Sequence, residues 1–66
     1  MKLRIDKQND ALYFHLDESA VVESEEVQPG VILDFNNQGS VVGIELLNIR
    51  SWISAEKLNV IQFETA

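Results

Sequence analysis

Apolar and polar residues alternate along most of the chain. Leu3 and Ile5 are interleaved with Lys2, Arg4 and Asp6, a period of two that predicts a half-buried strand. Lys7-Gln8-Asn9-Asp10 reads as a polar turn. Ala11 to Leu16 is a second strand, with Leu12, Phe14 and Leu16 on one side and Ala11, Tyr13 and His15 on the other. The short spacing between the two predicts an antiparallel hairpin. Asp17-Glu18-Ser19 interrupts the rhythm, and neither face of Ala20 to Val27 is cleanly apolar. That segment reads as an edge strand, where charges pointing both ways discourage sheet-to-sheet association. Gln28-Pro29-Gly30 is a turn, because Pro fixes φ and Gly tolerates positive φ. The clearest hairpin joins Val31–Phe35 to Val41–Leu47 through Asn36-Asn37-Gln38-Gly39, with Gly39 in the left-handed position. Gly43 inside a strand predicts a bulge or the close approach of another element.

After Asn48 the alternation fails. Ser51 is placed to cap a short helix through Trp52, Ile53, Ala55, Glu56 and Leu58. Residues 58–64 fit a further strand, a helix extension or a disordered end. The pattern predicts one α+β domain over residues 1–66: a small antiparallel β-meander sheet of about five strands, with one short C-terminal helix on its apolar face. The expected core is Leu3, Ile5, Leu12, Phe14, Leu33, Phe35, Val42, Ile44 and Leu46.

Size and charge narrow the function. The 66 residues include 11 acidic and 5 basic side chains, one His and no Cys, for a net charge of −6. A folded chain of this mass exposes roughly 4,200 Å² and has little core to spare. Disulfides and thiolate zinc sites are excluded without Cys, so a partner subunit is the first supplement to expect. The negative charge opposes nucleic-acid binding, which is built on Lys and Arg contacts to phosphate. Lys2, Arg4 and Lys7 still leave a small basic patch near the N-terminus. No apolar run approaches the ~20 residues of a membrane span, and the first residues lack the apolar stretch of a signal peptide. The expected location is the cytoplasm.

Three stretches taken in order carry a family resemblance: Asp6-Lys7-Gln8-Asn9-Asp10-Ala11-Leu12-Tyr13, then Glu23-Ser24-Glu25-Glu26-Val27-Gln28-Pro29-Gly30-Val31-Ile32-Leu33-Asp34-Phe35, then Gly39-Ser40-Val41-Val42-Gly43-Ile44-Glu45-Leu46-Leu47-Asn48. This order resembles the short bacterial proteins grouped as domain of unknown function 2283, over about the first three quarters of the chain. The resemblance implies a small meandering sheet with a short C-terminal helical element. It implies no established activity, cofactor or catalytic residue. The segment after Arg50 departs from the longer, more polar helix or tail that the family implies.

Few residues carry chemistry. His15 is the only imidazole; Asp10 or Asp17 is near enough in sequence to orient it as a base, but a strand histidine open to solvent is the plainer reading. Ser19, Ser24, Ser40, Ser51 and Ser54 sit in turn or cap contexts, with no nucleophile elbow. Asp17, Glu18, Glu23, Glu25 and Glu26 form an acidic cluster. Glu23 and Glu25 share one strand face, as paired carboxylates of a cation or hydrolase site would, yet a solvated edge or a docking surface for a basic partner fits better. Gly30, Gly39 and Gly43 follow no phosphate-cradling spacing. Trp52 reads as packing against the sheet or as an interface anchor. No catalytic, cofactor-binding or metal-ligating residue is assigned. The favoured expectation is a small acidic, non-enzymatic protein-interaction module, acting as a homo-oligomer or on a basic protein partner, with an antitoxin-like role drawn from charge and size alone. The alternative is an enzyme or metal-binding module whose site is assembled between subunits from His15 and the acidic segment.

Overall fold

A computed structural model describes residues 1–66. Five strands, β1 (Lys2–Asp6), β2 (Ala11–His15), β3 (Glu23–Gln28), β4 (Val31–Phe35) and β5 (Val41–Leu47), make one open antiparallel sheet. Their order is β1-β2-β5-β4-β3. The expected simple meander is therefore corrected. β3, β4 and β5 do run as a meander, but the β1–β2 hairpin joins it through β5, and β3 lies at the far edge. The connection from β2 makes this order by crossing the end of the sheet: the amides of Leu16 and Asp17 both donate to the Val42 carbonyl, and the Val22 amide donates to the Phe35 carbonyl. The chain thus binds β5 and then β4 on its way to the edge. Asp17 serves this crossing as a turn residue, accepting from the Ser19 amide and hydroxyl.

Turns lie where the polar clusters predict them. In the β4–β5 loop the Asn36 side chain accepts from the amides of Gln38 and Ser40, and Gly39 takes φ +77°. Between β1 and β2, Asp10 adopts φ 54°, and its carboxylate accepts from the Arg50 amide and guanidinium, both at 3.1 Å. With the Ile49 amide donating to the Asp10 carbonyl, this turn fastens the chain that leaves β5.

The strand registers align residues in rows across the sheet. One row runs Glu25–Leu33–Ile44–Phe14–Leu3, and the next includes Val31–Leu46–Leu12–Ile5. These give one face its apolar character. The opposite face carries Ser24–Asp34–Gly43–His15–Lys2 and Glu26–Ile32–Glu45–Tyr13–Arg4. A bulge at Val42, between the Asp34–Gly43 and Phe35–Val41 pairs, breaks the rhythm of β5.

The C-terminal helix does not form, and the fold is mostly β rather than α+β. Only two single 3₁₀ turns follow the sheet, Ile49–Ser51 and Lys57–Asn59, and residues 60–66 are irregular. Ser51 lies within the first turn and donates its hydroxyl to the Asn48 carbonyl, so it caps nothing. The segment has no continuous 3.6-residue apolar stripe, and a two-turn helix does not repay its nucleation without one. The expected core is corrected as well. Leu3, Ile5, Leu12, Phe14, Leu33, Ile44 and Leu46 share the apolar face and are half-buried; Val42, at the bulge, is the one expected member fully buried, and Ile49, just past β5, is the other fully buried apolar side chain.

Candidate functional site

The two faces present different chemistry. On the polar face Asp34 is a carboxylate only 6% exposed. Tyr13 Oη donates to its Oδ2 at 2.8 Å, and Ser24 Oγ donates to its Oδ1 at 2.5 Å. Three strands supply these groups, and a fourth, β5, lies between Tyr13 and Asp34. Gly43 makes the crossing feasible. A Cβ there would stand 2.6 Å from Tyr13 Oη and 3.2 Å from Asp34 Oδ2, so only a hydrogen leaves room for the phenol to reach over the strand. The close approach foreseen at Gly43 is this one, and the bulge lies beside it.

Hydroxyl donors, rather than a cation, hold the buried charge. With a hydroxyl on each oxygen, Asp34 bridges β2 and β3 from β4. Burial, with the adjoining Asp34 carboxylate, pushes the Tyr13 phenol up to about 12, which extends its range as a proton donor well into alkaline pH. His15 meets the Tyr13 ring edge-on, with centroids 5.2 Å apart and planes at 82°. Every buried side-chain nitrogen and oxygen has a hydrogen-bond partner. Beside the cluster, Arg4, Asp6, Ala11, Tyr13 and Glu45 line a shallow open hollow. Asp6 is held below its usual carboxylate range chiefly by the Asn9 side chain and amide.

The structure scatters the acidic cluster. Glu23 and Glu25 stand on the apolar side of the β3 edge, Glu26 on the polar side, and Asp17 and Glu18 in the crossing segment. His15 belongs to the polar face, separated from β3 by β5 and β4. Its pairing with Glu23 and Glu25 within one site is not made in this chain, and no group of three His, Asp or Glu side chains is placed to hold a metal ion. Asp34 was missed as a site residue; its signal was an acid inside the run Val31-Ile32-Leu33-Asp34-Phe35, read together with Gly43.

The apolar face is partly covered. Ile53, Leu58, Ile61 and Phe63 lie over the β1–β2 half, and a groove of 370 Å³ remains between them and the sheet. Lys7 Nζ donates to Asn59 Oδ1 at 2.9 Å and ties this tail to the first turn. Val60 and Phe63 are nonetheless 75% and 74% exposed. Trp52, 47% exposed, stands beside Gly30, whose φ is +82°; a Cβ there would meet the indole at 3.6 Å. It packs on the β3–β4 turn.

A family model described as "Protein of unknown function (DUF2283)" matches residues 2–50, about three quarters of the chain. No curated protein and no solved structure matches. The chain belongs to this DUF2283 family, and the matched region ends at Arg50, the residue that Asp10 fastens.

Proposed function

We propose that this chain is a non-enzymatic protein-interaction module whose working surface is the apolar face of the sheet. The observation that carries the reading is unsealed apolar surface: Val60, Ile61 and Phe63, which border the groove over the sheet, are 75%, 47% and 74% exposed. Large exposed apolar patches on small proteins mark interaction sites. The polar face supports the same conclusion from the other side, because its buried groups are spent on one another. No helix is long and apolar enough to cross a membrane.

The experiment is affinity purification from the native host with the wild-type chain and with Val60→Asp, which puts a charge on the apolar surface at a site too exposed to disturb folding. A specific protein held by the wild type and released by the variant supports the module, whether that protein is another copy or a different chain. Equal recovery from both overturns it.

A further inference from the structure

We propose that the apolar face is closed by a second copy of this chain, in a two-fold dimer whose sheets pack face to face with the axis along the strands. This rests on the interaction-module reading and names its occupant.

Area comes first. The exposed surface exceeds that of a compact fold by roughly 900 Å². A standard interface takes about 800 Å² from each partner, so this excess is of the size that one further copy would cover. Shape then selects the arrangement. The tail residues that line the groove meet Leu3, Ile5, Leu12 and Phe14 of β1 and β2, and no β4 or β5 residue lines that groove. Each copy is therefore a step, thick over one half and thin over the other. An axis across the strands, in the plane between the sheets, would set tail upon tail and hold the thin halves apart. An axis along the strands sets each tail over the thin half of its partner. Val60 and Phe63 then meet Leu33, Ile44 and Leu46, all of them still part-exposed in the single chain.

Charge selects the same axis. Glu23 and Glu25 face the apolar side of the β3 edge, and Lys57 lines the groove at the opposite side of the molecule. Rotation about the strand direction brings β3 of one copy to the tail side of the other, acid to base. The crosswise axis would stack Glu23 and Glu25 upon themselves, and like charges brought together oppose association.

The test measures mass by light scattering on the full chain over a range of concentrations, with circular dichroism confirming that each variant is folded. The expected result is twice 7.5 kDa at high concentration. Val60→Asp weakens the dimer roughly tenfold or more. Glu25→Lys and Lys57→Glu each weaken it several-fold, and combining them restores it. A chain that stays monomeric overturns the proposal, as does a dimer indifferent to Val60→Asp. A dimer in which the combined swap restores nothing overturns the proposed axis. The two readings fail separately: a monomer that still holds a host protein, released by Val60→Asp, removes the second copy and leaves the module, whereas a monomer whose captured proteins ignore that substitution removes both.

Discussion

The two faces of this sheet solve opposite problems. The polar face must bury a carboxylate, and does so with groups from its own chain: Tyr13 and Ser24 occupy both oxygens of Asp34, and Gly43 clears the path between strands. The apolar face must keep Leu12, Phe14, Ile44 and Leu46 from water, yet all four stay half-buried, and the irregular tail that borders Leu12 and Phe14 leaves a groove beside them. A network of hydrogen bonds closes once its few directional partners are found. Apolar burial scales with area, and 66 residues in a single layer do not provide enough area to cover themselves.

Substitution separates the faces, and the largest effect is expected at Gly43. Gly43→Ala drives a methyl into Tyr13 Oη and breaks its bond to Asp34, which costs about 3 kcal/mol in denaturant unfolding. Tyr13→Phe leaves Asp34 with one donor and costs about 1–2 kcal/mol. Because the clashing atom is the hydroxyl that Tyr13→Phe removes, the double variant costs less than the sum of the two. Additive costs would show that the phenol does not cross Gly43. Asp10→Ala removes the acceptor of the Arg50 amide and guanidinium and costs about 1–2 kcal/mol; faster hydrogen exchange in residues 49–59 checks that the tail is what loosens.

Phe63→Ser works on the other face and changes the stability of a dilute, isolated chain by under about 0.5 kcal/mol. Its mark lies elsewhere. Under the proposed dimer the thermal midpoint of the wild type is expected to rise with protein concentration, because association stabilises the folded state, and that of Phe63→Ser to rise less. The smallest effect is spectroscopic. Tyr13 is the only tyrosine, so phenolate absorbance reports it alone. Its folded value, about 12, lies above the ordinary value near 10. The folded state thus holds this proton more tightly than the unfolded chain. The stability it contributes is complete below the ordinary value and is lost as pH climbs from there toward 12. Tyr13 should ionise near pH 12 in the folded protein, whereas a midpoint near 10 would show an open phenol.

Much of the sheet was legible because a period of two is a backbone property that side chains announce directly. Leu3, Leu12, Ile44 and Leu33 fall on one face as their alternation requires, and Asn36 and Gly39 turn the chain where their backbone preferences allow. Strand order was not legible. Residues 16–22 are long enough either to return beside β2 or to cross to the far edge, and the choice rests on backbone bonds to Val42 and Phe35 that no side chain encodes. The absence of a helix after Ser51 is not legible in the sequence, because a cap residue and a few good formers look alike whether or not a stripe exists to pack. At Asp34, a carboxylate surrounded by Ile32, Leu33 and Phe35 in sequence passed for the polar half of an alternation. Its burial depends on Tyr13 and Ser24, 21 and 10 residues away.

The strand order also sets the route by which the molecule assembles. Each hairpin closes locally, but pairing β2 with β5 brings His15 opposite Gly43 and must close a loop of about 28 residues, an entropic toll of about 3 kcal/mol before the seam is rewarded. The β1–β2 and β3–β4–β5 pieces should form early and join late, with the β2–β5 seam as the slow step. The tyrosine that reaches across Gly43 then acts as a latch on that seam, so Gly43→Ala should slow refolding by a larger factor than Asp10→Ala does.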